Sequence, residues 1–336
     1  MPVIVNAAEA HPFLPSLGDP AAIAAGRAQQ QDIRPLEIAI INLMADKQAT
    51  ERQLAQWLGH TPLQIQLTFA ATDDYVQGIR DGRTARNTPA DHIRKFYSAF
   101  SDIRSRKFDG LIVTGINLLN PDVTKEAIWP QMQEICEWSQ TNVFSSLFLC
   151  WGGLAALRHF HDIVPHHGET KTWGVFEHRI RSDETGIMFG MPDVFSVPVS
   201  RWKSPRKQDI EKCASLEIVA ESDEAGVHLL VESGGYDGGK SLYPRRVYLL
   251  NHPEYDTDTL KQEYLRDSKG KSPERLPANY FPDNDPSKPP VNNWRHGAIV
   301  YVNWIKTIYE AVPYDINLIP EPWGVTAPAI GLRQSS

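Results

Sequence analysis

Cysteine is scarce in this chain. Three thiols, Cys136, Cys150 and Cys213, are spread over 336 residues with no C-x-x-C pair. So odd and sparse a set argues against a disulfide framework or a zinc cluster, and no metal site is expected; a reducing compartment, the cytoplasm, fits better. Long apolar runs are missing too, since no stretch approaches the roughly 18 to 20 residues that span a bilayer. Met1 to Pro20 has no positively charged segment followed by an apolar run, so no signal peptide and no membrane partner are expected. Basic surplus is absent as well: 34 Lys and Arg against 41 Asp and Glu give a formal net charge of -7, which leaves no footprint for nucleic acid. There is no internal repeat. What these absences leave is a soluble globular protein, and 41% hydrophobic content is enough for one large core or two intimate ones.

What is present alternates. Residues 1 to 34 are rich in Ala, Pro and Gln and read as an arm over the surface or over a partner subunit. Leu36 to Leu43 has strand composition, Thr50 to Leu58 carries Leu54, Trp57 and Leu58 at helical spacing, and Leu63 to Thr68 is a second strand. A polar stretch from Thr72 to Thr88 follows, then a helix from Ala90 to about Arg104 entered through Pro89. Next come the strand Gly110 to Thr114, the helix Ile128 to Gln140 and a strand ending at Cys150. This order predicts an α/β fold, a mostly parallel sheet with helices on both faces, whose ligands sit beyond the carboxyl ends of the strands. The second half is less regular. Short strands are expected at Val175 to Ile180, Val194 to Pro198, Leu216 to Ala220, Val227 to Val231 and Arg246 to Leu250. Gly234 to Gly239 reads as a flexible hairpin, Asp256 as the cap of a helix Thr257 to Arg266, Lys271 to Asn293 as a proline-rich cover, and Trp294 to Ala311 as a last helix.

The chain is organised around Val143 to Leu157, V-F-S-S-L-F-L-C-W-G-G-L-A-A-L. A buried strand that runs through two glycines into a helix makes a sharp turn and thrusts its apex residue, Cys150, out of the packing. The unpaired amides of the new helix, beginning with that of Trp151, face the same space, where they favour a thiolate and can hold an oxyanion. Cys150 is therefore the candidate nucleophile; the alternative is a small buried thiol in a sheet. His252 and Glu254 follow another strand end and could meet Cys150 at one sheet edge, the imidazole moving protons and the carboxylate fixing its tautomer. A solvent-exposed turn is the competing reading of that H-P-E run. His159, His161, His166 and His167 lack a carboxylate or thiol at ligand spacing and read as surface histidines. Trp294, Tyr301 and Trp304 recur on helical faces and read as core.

A resemblance now joins these residues. The runs N-L-M-A-D-K at 42–47, F-D-G-L-I-V-T-G at 108–115, F-L-C-W-G-G-L-A-A-L at 148–157 and G-V-F-E-H-R at 174–179 resemble the homoserine O-succinyltransferases, a family of homoserine O-acyltransferases. So do N-H-P-E-Y-D-T-D-T-L at 251–260, E-Y-L-R-D at 263–267 and A-N-Y-F-P-D-N-D-P at 278–286. The likeness covers residues 35 to 315 in order, implying a single acyltransferase domain there and a tail over 316–336. It implies a flavodoxin-like fold related to class I glutamine amidotransferases, a homodimer, and ping-pong transfer from acyl-CoA to the hydroxyl of an amino acid, with no bound cofactor. Carried over by position, Cys150 is the acyl-thioester nucleophile, His252 the proton acceptor and Glu254 its orienting partner. Lys171, Ser200 and Arg266 fall where the family binds substrate, and Lys47 beside its oxyanion region.

Two departures shape the expected specificity. Where the family has T-G-A-P and then Gly or Glu, this chain reads Thr114-Gly115-Ile116-Asn117-Leu118-Leu119, which puts Leu119 at the acyl-specificity position. A leucine offers nothing to a succinyl carboxylate, whose unpaired burial costs several kcal/mol, so acetyl-CoA is expected over succinyl-CoA. Ser200-Arg201 is followed by Trp202-Lys203 where the family has smaller or differently polar residues, so L-serine stands beside L-homoserine as acceptor. The alternative within catalysis is a glutaminase-type cysteine hydrolase. Against it, such enzymes carry G-x-C-x-G, and here the first glycine is Phe148.

Overall fold

Successive residues of a strand face opposite sides of the sheet, and here both sides are covered. The computed structural model describes residues 3–5, 22–25, 34–85, 87–116, 120–236, 241–268 and 275–319. Among them lie the strands β1 (Val3–Val5), β2 (Ala22–Ala24), β3 (Leu36–Ile41), β4 (Ile65–Ala71), β5 (Ser98–Ala99) and β6 (Phe108–Val113). The others are β7 (Val143–Leu149), β8 (His166–Ile180), β9 (Val194–Ser204), β10 (Glu217–Ser222), β11 (Gly226–Tyr236) and β12 (Ser241–Leu249). They form one sheet in the order β2-β1-β4-β3-β6-β7-β12-β11-β10-β8-β9, with β5 beside β4. From β2 to β12 neighbours run parallel; from β12 to β9 they run antiparallel.

The layers follow from side-chain parity. Ile38, Ile40, Ile112, Leu147, Leu149, Val247 and Leu249 pack into one core with helices α1 (Lys47–Leu58) and, near the carboxyl end, Ile299–Ala311. Their neighbours Ala39, Ile41, Leu111, Val113, Phe148 and Tyr248 pack into the other with helices α2 (Trp129–Asn142) and α3 (Trp151–His161). Helices thus cover both faces of the mostly parallel half, as the alternation predicts. The helices Thr259–Asp267 and Ile299–Ala311 are α4 and α5. Among the described residues no helix is long and apolar enough to cross a membrane.

Several expectations shift. Pieces of the segment read as an arm join the sheet, since β1 pairs in parallel with both β2 and β4. The polar stretch Thr72 to Thr88 holds a helix, Asp73–Arg80, that buries only Val76 and Ile79. The helix expected from Ala90 to Arg104 is two, Ala90–Phe96 and Phe100–Ile103, because Tyr97 turns extended and Ser98–Ala99 pairs with Ala70–Ala71 of β4. Periodicity alone could not see that break, which depends on a strand edge distant in sequence. β8 and β9 run well beyond their apolar portions, because their mutual ladder continues from Glu177↔Ser196 out to Thr172↔Arg201 and His166↔Ser204. Asp258 stands at the cap position of α4, and Asp256 instead takes Arg52 at 2.9 Å. The 275–294 segment does act as a cover: Tyr280, Phe281 and Trp294 pack with Trp173 and Tyr255.

Candidate active site

The centre of the site is the β7–α3 elbow. Cys150 takes φ 48° and ψ −114°, a conformation L-residues rarely adopt, so its backbone is strained there. The strain is held by bonds on both sides: its N–H donates to the carbonyl of Leu249 at 2.8 Å, and its own carbonyl accepts from Leu154 N–H at 3.0 Å. The two glycines that follow are required by close approach. A Cβ on Gly152 would lie 2.8 Å from the carbonyl oxygen of Val113, and one on Gly153 would lie 3.0 Å from that of Phe148. Cys150 is partly exposed, not sealed in the core.

β12 lies beside β7 in parallel, with Leu249 opposite Leu149. Both chains therefore leave the sheet at the same end, and His252 emerges beside Cys150. Its backbone N–H donates to the Pro198 carbonyl at 3.0 Å, and its ring stacks on Tyr255 at 4.3 Å. Nδ1 meets Oε1 of Glu254 at 2.7 Å, and the Tyr301 hydroxyl donates to Oε2 of the same carboxylate at 3.0 Å. Burial alone would push the imidazole down. The Glu254 carboxylate and the Cys150 sulfur, which is also a hydrogen-bond partner of the ring, outweigh it and hold His252 well above its ordinary value. An imidazole so placed can exchange a proton with the thiol.

Cys150, Trp151 and His252 line one cavity of about 590 Å³, within the usual range for small-molecule sites. Lys171, Ser200 and Arg266 line its other wall. Their hub is Glu263, which sequence reasoning missed. Its carboxylate accepts from Ser200 Oγ at 2.6 Å and from the Tyr255 hydroxyl at 2.9 Å, and lies 3.7 Å from Lys171 Nζ. The signal was there: Glu263 sits three residues before Arg266 on one helix, and such residues share a face. Arg266 is half-exposed and holds Asp267 through Nε at 2.6 Å and a second nitrogen at 3.1 Å.

Lys47 is placed differently. It is buried behind the cavity, and its ammonium donates to the carbonyls of Asn42 at 2.6 Å and Met44 at 3.1 Å over the ring of Tyr75. Burial lowers it to about 7, against the upward pull of Glu51. It fixes the 42–47 loop, which is joined to Thr114 by the bond from Leu43 N–H to Oγ1 at 2.7 Å. Next to Thr114 is Gly115, where a Cβ would stand 3.0 Å from Cys150 Cβ and 3.4 Å from the Trp151 nitrogen. Leu119 lies outside the described residues. Among those described, no group of three His, Cys, Asp or Glu side chains could hold a metal ion.

Comparison with known proteins shows the family. The family model for homoserine O-succinyltransferase matches residues 4–314. The homoserine O-acetyltransferase of Agrobacterium fabrum is 43% identical over 293 residues, 87% of this chain and 90% of that protein. The enzyme of the same name from Cereibacter sphaeroides is 42% identical over 290 residues, 86% and 90% of the two chains. Among solved structures, the one titled SMU.1228c is 11% identical with a TM-score of 0.51, covering 82% of this chain and all of its own, a likeness of fold. A glutamine amidotransferase from Thermotoga maritima superposes with a TM-score of 0.47 at 11% identity, over 82% of this chain and 97% of that one. By the extent of the family match and by these relatives, the chain is an acyltransferase and belongs to the homoserine O-succinyltransferase family.

Proposed function

We propose that this enzyme moves an acetyl group from acetyl-CoA to the side-chain hydroxyl of L-homoserine through a thioester on Cys150. One observation carries the reading: the strained elbow brings a partly exposed thiol and a buried, carboxylate-held imidazole into a single cavity whose far wall is lined by Lys171, Ser200, Glu263 and Arg266.

In the first half-reaction His252 takes the proton of Cys150, and the sulfur adds to the thioester carbonyl. The oxyanion forms beside the amide of Trp151, at the start of α3, where the helix dipole favours negative charge. Collapse restores the carbonyl, leaving the acyl group on Cys150, and breaks the bond to CoA, whose sulfur leaves with the proton from His252. In the second half-reaction the homoserine hydroxyl gives its proton to His252 and attacks the acyl-enzyme; the ester leaves and the proton returns to the thiol. Glu254, held by Tyr301, keeps Nδ1 protonated, so that Nε2 is the nitrogen that works. Arg266 can grip the α-carboxylate of the acceptor in a fork, and Glu263 can accept from its ammonium.

Acetyl is preferred on two grounds. In sequence, Leu119 holds the position that accompanies acyl preference in the family and offers a succinyl carboxylate no polar partner, and the Agrobacterium and Cereibacter relatives are both named homoserine O-acetyltransferase. The test is a donor competition with acetyl-CoA and succinyl-CoA, with intact-protein and peptide mass spectrometry of the enzyme before acceptor is added. An acetyl adduct on Cys150, absent from Cys150→Ala, is expected; a clear succinyl preference would refute the donor assignment, and an adduct elsewhere the nucleophile.

A further inference from the structure

One buried cation beside the sulfur has no anion of its own. Arg201, on β9, is buried and lines the cavity with Cys150. Every acceptor of its guanidinium is neutral. Nε donates to Ser204 Oγ at 2.9 Å, one terminal nitrogen to Oδ1 of Asn251, and the other to the carbonyl of Ala225. Among the described residues no carboxylate forms an ion pair with it. A guanidinium carries five N–H donors, so two remain for a group in the cavity.

This arrangement is fixed from behind. Neutral His178 donates from Nδ1 to the carbonyl of Phe176 at 2.9 Å, leaving Nε2 to accept from Nδ2 of Asn251 at 3.0 Å. Burial pushes His178 down to about 4, so that tautomer persists at neutral pH. The Asn251 amide is thereby turned with its oxygen toward Arg201, one residue before His252. A buried charge served only by neutral dipoles is costly and calls for a counter-charge. The group that can supply one here is the sulfur.

We propose that Arg201 is the fixed counter-cation of the Cys150 thiolate, set by the His178–Asn251 relay so that the anionic sulfur, and the tetrahedral intermediates that grow from it, face a permanent positive charge. Burial lowers Arg201 to about 10, and the Cys150 sulfur is the charge that acts against this fall. The other groups that feel the sulfur are already engaged. His252 is bound to Glu254, Lys203 has Glu126 and Asp122 as acidic neighbours, and the Tyr255 hydroxyl donates to Glu263.

The inference rests on Cys150 being the nucleophile, and its test separates the two. The full chain is alkylated with iodoacetamide across roughly pH 5 to 9, and the rate at Cys150 is read by peptide mass spectrometry. Wild type, Arg201→Gln and Arg201→Lys are compared, with the fold of each checked by circular dichroism. Arg201→Gln is expected to raise the midpoint of the pH profile by about 1 unit, because an opposite charge is lost. Arg201→Lys, which keeps the charge, is expected to hold it within about 0.3 unit. A folded Arg201→Gln with an unmoved midpoint overturns the proposal, as does Arg201→Lys moving as far as Arg201→Gln. Should Arg201→Gln not fold, Arg201→Met takes its place: a raised midpoint beside an unmoved Arg201→Lys supports the proposal, and an unmoved one overturns it. If wild-type Cys150 alkylates no faster than Cys213 at any pH, the nucleophile assignment falls and the proposal with it.

Discussion

Gly115→Ala puts the oxyanion site to a direct test. Gly115 is buried and has no left-handed backbone, so alanine meets no conformational penalty there. The added methyl would stand 3.4 Å from the Trp151 nitrogen, 3.5 Å from Cys150 Sγ and 3.0 Å from Cys150 Cβ. An oxyanion bound to that amide needs its oxygen about 2.7–3.1 Å from the nitrogen, in space the methyl now fills. The 3.0 Å contact also asks the elbow to give by a few tenths of an ångström. Losing one preorganised donor costs about 2.7–4 kcal/mol in the transition state, or roughly 10²–10³ in kcat. Steady-state release of CoA with homoserine as acceptor would measure it, beside a thermal unfolding curve. We expect kcat to fall by that factor and Tm by only a few degrees. A folded Gly115→Ala with kcat within about threefold of wild type would show that the Trp151 amide does not hold the oxyanion.

Other outcomes follow from the same geometry. Glu254→Gln is expected to lower kcat by about 10²–10⁴, because the amide no longer enforces the Nδ1-protonated tautomer. His252 is held above its ordinary value, so its protonated form stabilises the fold fully below the unfolded value near 6.5 and loses that contribution as pH climbs through the folded one. The stability gap between wild type and Glu254→Gln, read by urea melts, should therefore be widest in acid. Lys47 behaves oppositely. Lowered to about 7, it sheds its proton in the folded state while the unfolded chain keeps it, so this group's share of stability rises by about 1.4 kcal/mol per pH unit from about 7 toward 10. Lys47→Met should flatten that rise; an unchanged slope would contradict the assignment.

Much of the candidate site's geometry is legible in the sequence, for identifiable reasons. Cys150 is betrayed by local chemistry, an apolar strand broken by Gly152 and Gly153, and both glycines prove to be required by backbone contacts. His252 and Glu254 follow from the same logic of strand ends, because the register Leu249↔Leu149 carries them to that edge. The parallel half of the sheet is legible because its strands are short, apolar and separated by helices. What escapes is what depends on distant partners. Tyr301 reads as core, and it is core, yet its hydroxyl also holds Glu254. Lys47 reads as a charge at the oxyanion, but its ammonium is spent on the carbonyls of Asn42 and Met44. The polar outer lengths of β8 and β9 escape because a backbone ladder, unlike a buried face, leaves no periodic mark on composition.

The adjacency of β7 and β12 has a consequence for biosynthesis of the enzyme itself. The thiol belongs to the part of the chain made early, whereas its imidazole arrives only after the antiparallel strands from His166 onward have been synthesised. On the mechanism proposed above, Cys150 lacks its proton acceptor until β12 lies beside β7. One parallel pairing, β12 on β7, therefore joins a thiol and an imidazole that lie far apart along the chain, with four antiparallel strands between them in sequence.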